Sequence, residues 1–126
     1  MPVMLVAAFV ILAFAVLLGS MLAVLHLRIK GAAMPPWPLA ALHGLLAVVG
    51  LGCLVLALHG PSRGLDQGTA SFGIISAALL ALAASVGAKL LAARVFKKRI
   101  GGGTIGIHAT LAVSGFVILI AYVFAG

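Results

Sequence analysis

The sequence predicts an all-α fold, namely an integral membrane four-helix bundle whose consecutive helices run up, down, up and down. The 126 residues are 65% hydrophobic and only 7% charged, which is not the composition of a soluble domain. Four apolar stretches, at about residues 2–27, 37–58, 69–93 and 104–124, each reach the roughly 20 residues that a helix needs to cross a bilayer. Because the connections are short, consecutive spans should be antiparallel neighbours in a single domain, 1–126.

Each stretch has features of its own. The first lacks the basic segment of a secretory signal, so we expect a span that is retained. The second follows a proline-rich connection around Trp37, an aromatic residue typical of a membrane interface. The third is rich in alanine, and the fourth follows three glycines at 101–103 that indicate a flexible turn. None of them shows the alternation of a barrel strand.

Basic residues concentrate in the first and third connections. They are Arg28 and Lys30 in the first, and Arg94, Lys97, Lys98 and Arg99 in the third. The positive-inside tendency therefore places these connections in the cytoplasm and both termini outside it, in a plasma (inner) membrane. The net charge of +7 is accounted for by this anchoring to the lipid bilayer, and no nucleic-acid partner is expected.

Two segments 65 residues apart repeat one pattern, in which an alanine follows a histidine after four residues and a glycine follows it after seven. The first copy is His43, Ala47 and Gly50, and the second is His108, Ala112 and Gly115. Ser20 and Ser85 share the same offset. The chain therefore reads as a tandem two-helix repeat with halves 1–60 and 66–126, related by an axis along the membrane normal.

The repeated pattern indicates a cofactor site. On a helix its three positions share one face, which offers a nitrogen ligand and then leaves room for a large flat group. The second and fourth spans run in the same direction at diagonal corners, so His43 and His108 should face one another across the bundle. We predict one b-type haem between them, with Ala47, Gly50, Ala112 and Gly115 against the ring. Iron held by two imidazoles suits electron transfer better than oxygen binding.

Other polar residues are candidates for supporting roles. Arg28 and Lys89 are candidates to neutralise the haem propionates, although Lys89 could equally snorkel to the interface. His26 and His59 are weaker candidates for metal ligation, and interfacial positions are expected for both. With the 65-residue offset their counterparts are Leu91 and Phe124, so neither forms a second histidine pair.

Histidines on alternating spans of a small bundle, with a glycine two turns away, resemble the membrane b-type cytochromes, notably the cytochrome b561-like group. The resemblance covers the four spans in general form and depends on His43 to Gly50 and His108 to Gly115. It implies haem b held between helices, and electron exchange with a quinone, another small redox partner or a redox protein. Typical members are longer and bind two haems, whereas one haem is expected here.

Two other function classes remain open. One is a small transporter or channel-like subunit, with histidines and Lys89 lining a proton or metal path. The other is a structural protein that stabilises a larger membrane assembly. Asp66 is the only carboxylate side chain, so catalysis by paired carboxylates is excluded, and any enzyme activity would be that of an oxidoreductase. A homo-oligomer that shares a ligand across its interface is also compatible with the sequence.

Overall fold

The computed structural model describes residues 2–29 and 34–125, which form four helices: α1 (Val3–Arg28), α2 (Trp37–Leu58), α3 (Phe72–Val95) and α4 (Gly102–Phe124). Each helix is long and apolar enough to cross a membrane. No strand occurs within these described ranges. The predicted all-α class is therefore confirmed.

The start of α3 differs from the prediction, which placed it at residue 69. Residues before Phe72 form a tight turn in which the backbone N–H of Thr69 donates to the Gly64 carbonyl, 2.9 Å away. Gly64 has a φ of +72°, and a Cβ there would collide with the Thr69 side chain. The left-handed backbone at Gly64 thus directs the chain into the turn, and the helix begins only after it.

The helices pair as two hairpins. Helix α1 packs mainly against α2, and α3 mainly against α4. Smaller interfaces join α2 to α3 and α1 to α4, so the pairs α1/α3 and α2/α4 lie at diagonal corners. This is the arrangement expected for an up-down-up-down bundle.

The hydrophobic core occupies one half of the bundle. It consists of Leu5, Ala8, Leu12, Leu54, Leu80, Leu119, Tyr122 and Val123. Every buried helical residue lies in the first half of α1 or α3, or in the second half of α2 or α4. We call this the packed half. In the opposite half, here the open half, the described helical residues are half-buried or exposed.

The burial pattern also corrects the register of the repeat. The buried positions of α1 and α3 correspond at an offset of 68 residues: Leu5 with Gly73, Ala8 with Ser76, Leu12 with Leu80, and Ala15 with Ala83. In α2 and α4 the offset is 65, as predicted, since Gly50 matches Gly115 and Leu54 matches Leu119. The connection between α1 and α2 is correspondingly longer than that between α3 and α4. Ser20 and Ser85 are therefore not equivalent.

Candidate functional site

Two imidazole rings meet on the diagonal between α2 and α4. The ring centres of His43 and His108 are 6.1 Å apart, and the ring planes are nearly perpendicular, at 87°. Both rings are half-buried and lie where the packed half gives way to the open half. The structure therefore brings together the two histidines that the sequence pattern singled out.

Each ring is held by the neighbouring helix of its own hairpin. The Nδ1 atom of His43 is 2.8 Å from the Ala15 carbonyl oxygen in α1. The Nδ1 atom of His108 is likewise 2.8 Å from the Ala83 carbonyl oxygen in α3. Ala15 and Ala83 are equivalent at the 68-residue offset, so the two hairpins orient their histidines in the same way.

A glycine beside each ring makes this approach possible. A Cβ on Gly19 would lie 2.8 Å from Cε1 of His43, and one on Gly87 would lie 3.0 Å from Cε1 of His108. Both distances are shorter than an ordinary carbon–carbon contact. A side chain at either position would push the imidazole away from α1 or α3, so these glycines fix where the rings can lie.

The hydrogen bonds determine the tautomer of both rings. A carbonyl oxygen only accepts, so Nδ1 of each histidine must carry the hydrogen and donate it. In a neutral ring the lone pair is then on Nε2, and the described residues give neither Nε2 atom a hydrogen-bond partner. A backbone carbonyl that orients the second ring nitrogen is the usual outer-shell arrangement of a metal-bound histidine.

The ring separation lies within the roughly 4.5–7 Å of an ordinary edge-to-face ring contact, and it is also compatible with two imidazoles on opposite sides of one metal ion. A ligating nitrogen lies about 2 Å from its metal, so the ring centre lies roughly 3 Å away and two such rings are about 6 Å apart. The observed separation of His43 and His108 is 6.1 Å.

A bare metal ion would find too few ligands here. Within residues 2–29 and 34–125, no cluster of three or more histidine, cysteine or acidic side chains could hold a metal. Zinc sites require three or four protein ligands. A haem brings four equatorial nitrogens of its own and needs only two axial ligands. Two is also the number of imidazoles that His43 and His108 provide.

Gly50 and Gly115, the glycines of the repeated pattern, lie against leucine side chains of the neighbouring helix. A Cβ on Gly50 would lie 2.7 Å from Cγ of Leu12, and one on Gly115 would lie 2.9 Å from Cγ of Leu80. Leucine side chains thus fill the space that was predicted for a porphyrin. Gly50 and Gly115 bring the two helices of each hairpin together, and their assignment as ring contacts is corrected.

The residues on the other side of the rings are less buried. The open half contains no buried residue in the described helices, and the rings of His43 and His108 stand at its boundary. Ala47 and Ala112 are half-buried between the rings and the packed half. Contact of these alanines with a porphyrin edge stays a prediction.

The two cations predicted to serve propionates do not face the ring pair. Lys89 follows Gly87 by two residues, which is about 200° around α3, and Arg28 follows Gly19 by nine residues, about 180° around α1. Both are exposed. Their directions favour solvated or interfacial anchoring, and a role toward the propionates stays a prediction. Lys30 lies outside the described residues.

The remaining histidines differ from each other. His59 is exposed, and its Nδ1 donates to the Val55 carbonyl oxygen of its own helix, 2.8 Å away. His26 is half-buried near the end of α1. At the 68-residue offset its counterpart is Arg94 and not Leu91, so the end of α3 bears a cation at the equivalent place.

Four residues that contact the histidine rings were not predicted from the sequence, namely Ala15, Ala83, Gly19 and Gly87. They share the 68-residue offset of α1 and α3, whereas the histidine pattern follows the 65-residue offset of α2 and α4. Glycine four residues after alanine occurs in both helices, at Ala15 and Gly19 and at Ala83 and Gly87. This spacing of alanine and glycine in α1 and α3 is the sequence signal that could have identified all four residues.

Comparisons with protein families, with curated proteins and with solved structures found no match for this chain. The geometry of the two histidines is accordingly the basis for assigning a function.

Proposed function

We propose that this protein is a membrane-embedded carrier of one b-type haem that transfers electrons, with His43 and His108 as the axial ligands. The observation that carries the proposal is the paired ring geometry. The centres are 6.1 Å apart, and each Nδ1 is bonded to a backbone carbonyl so that Nε2 is left for a metal.

The protein residues have defined tasks in this proposal. Ala15 and Ala83 orient the imidazoles through their carbonyl oxygens, and the hydrogen bonds raise the basicity of the ligating nitrogens. The packed half excludes water from one side of the ring pair. Haem held by these residues would supply a one-electron redox couple, with a potential that depends on His43, His108 and their surroundings. A haem held by both His43 and His108 would favour electron transfer over oxygen binding.

Membrane orientation is part of the same proposal. The basic residues of the first and third connections favour a cytoplasmic position for the ends of α1 and α3. The open half then faces the cytoplasm of a cell whose plasma membrane holds the protein, and both termini are outside. A lipid-soluble donor such as a quinone, or a redox protein, would exchange electrons at that side.

An absorption spectrum of the full-length protein purified in detergent tests the proposal. We expect red membranes, and reduced Soret and alpha bands characteristic of low-spin haem. Replacing His43 or His108 by alanine should abolish these bands, because iron held by one imidazole is no longer low-spin and six-coordinate. His59→Ala is the matched control and should leave the spectrum unchanged, since that ring bonds its own helix at the surface.

The outcomes separate the function classes. Colourless protein that also fails to bind added haem would refute the proposal. Colourless protein together with pH-dependent ion flux in liposomes would favour the transporter, and indifference to the loss of all four histidines would favour a structural role. Retained low-spin bands in both His43→Ala and His108→Ala would leave a haem protein but reject these ligands.

A further inference from the structure

We infer that the end of α3 is a binding site for an anionic phospholipid, formed by Phe96, Lys97, Lys98 and Arg99. We call these four residues the basic turn. The inference goes beyond the proposed function and does not depend on haem. It assigns a partner of stated chemistry, a lipid with a net negative phosphate headgroup, to the cationic end of the bundle.

Positive charge is concentrated at the end of the bundle where α1 and α3 terminate. In the part of the chain that the structure describes, the lysines and arginines at or near this end are Arg28, Lys89, Arg94, Lys97, Lys98 and Arg99. Asp66 is the only carboxylate side chain of the sequence, and it lies in the connection at the opposite end. No acidic side chain of the protein can therefore neutralise the basic turn, whose charge is complementary to an anionic partner.

The backbone presents the three cations of the basic turn together. Helix α3 ends at Val95, and beyond it the backbone N–H of Lys98 donates to the Ala93 carbonyl oxygen, 2.7 Å away. Lys97 has a φ of +54°, the left-handed conformation that glycine usually adopts after a helix. Lys97, Lys98 and Arg99 are all exposed. A lysine in the position typical of glycine thus adds one more ammonium group to this surface.

Exposed apolar side chains adjoin these cations. Phe96 is 71% exposed and Val95 is 58% exposed. Because α3 is long and apolar enough to cross a membrane, its last residues lie where the hydrocarbon meets the lipid headgroups. At that level the cations would meet phosphates, while the ring of Phe96 would contact acyl chains. A phospholipid offers both groups, whereas a soluble acidic protein would leave the apolar side chains uncovered.

The neighbouring Arg94 is engaged elsewhere and does not belong to the site. Its guanidinium donates to the Pro35 carbonyl oxygen and lies 5.3 Å from the centre of the Trp37 ring. These contacts join the last turn of α3 to the start of α2. The chemistry of recognition falls to the exposed residues, since lysine ammonium groups and the planar fork of arginine both bind phosphate oxygens.

Native mass spectrometry of the full-length protein in detergent tests the inference. The probes are phosphatidylglycerol and phosphatidylcholine with the same acyl chains, and we expect tighter binding of phosphatidylglycerol. Lys98→Gln and Arg99→Gln should each weaken its binding about fivefold, the contribution of one basic residue near an anionic lipid surface. Combining both with Lys97→Asn should weaken it roughly a hundredfold. Asparagine is chosen at 97 because it tolerates the left-handed conformation.

Two control variants separate a defined site from general charge attraction. Arg28→Gln removes an exposed cation at the same end of the bundle but on α1, at the diagonal corner, and should have almost no effect. Phe96→Ala should weaken the binding of both lipids equally, because it removes an acyl contact and no charge. A loss with Arg28→Gln equal to that with Lys98→Gln would overturn the inference. Equal affinity of the original protein for the two lipids would do so as well, and so would unchanged phosphatidylglycerol binding in the combined variant.

Discussion

Replacing Gly19 by alanine is expected to weaken the binding of haem while the fold is maintained. The new Cβ would lie 2.8 Å from Cε1 of His43. Ordinary van der Waals contact begins near 3.4 Å, so the ring must retreat by about 0.6 Å. The hydrogen bond from His43 Nδ1 to the Ala15 carbonyl oxygen, now 2.8 Å, would lengthen to about 3.4 Å, outside the usual range of roughly 2.7–3.2 Å for an N–H···O bond.

The greatest effect expected is that of losing the whole bond. One hydrogen bond contributes about 1 kcal/mol, which corresponds to a roughly fivefold weaker affinity for haem. In the same variant, exchanging glycine for alanine inside a helix stabilises the helix by about 0.8–1.0 kcal/mol. Haem affinity and folding stability should therefore not fall together. Gly87→Ala should have a smaller effect, because its Cβ would lie 3.0 Å from Cε1 of His108.

Two measurements check this prediction. Haem titration gives the affinity, and ¹⁵N chemical shifts of the histidine rings report whether Nδ1 still carries a bonded hydrogen when no haem is present. Gly44→Ala and Gly106→Ala are matched controls, since a Cβ at either glycine would meet no atom within 4 Å. If Gly19→Ala bound haem as tightly as Gly44→Ala, with unchanged ring shifts, the claim that glycine fixes the imidazole would be wrong.

Two further predictions concern stability. Ser76 is fully buried and donates to the Gly115 carbonyl oxygen at 2.8 Å, so Ser76→Ala should lower the free energy of unfolding in detergent by about 1 kcal/mol; the same change at the exposed Ser85 should have almost no effect. Lys97 has a φ of +54°, a left-handed conformation that costs a side-chain-bearing residue roughly 1 kcal/mol. Lys97→Gly should therefore raise the melting temperature, whereas Lys98→Gly should not.

Composition and hydropathy were sufficient to predict the architecture. Apolar stretches long enough to cross a bilayer predict helices. In lipid, the backbone N–H and C=O groups of a span must form their hydrogen bonds within the same segment. The bounds of α2 were predicted as the structure has them, at Trp37–Leu58. The predicted start of α3 was three residues too early. Hydropathy does not detect the turn between Gly64 and Thr69, because this turn contains few charged residues.

The candidate site was predicted only in part. The histidine pattern located His43 and His108, because a polar ring inside an apolar span is conspicuous. The same pattern misassigned Gly50 and Gly115, since sequence spacing shows which residues share a face but not which neighbouring side chain fills it. Leu12 and Leu80 could be placed beside these glycines only once the register of the hairpins was known.

That register also has a thermodynamic consequence. Each hairpin contributes one of the two imidazoles, whose ring centres are 6.1 Å apart. Neither hairpin alone could therefore bind a metal centre from both sides. A ligand bound by both imidazoles would link the two halves of the chain. Its affinity is then added to the cohesion of the bundle by mass action, about 2.7 kcal/mol when the free ligand is at a hundred times its dissociation constant.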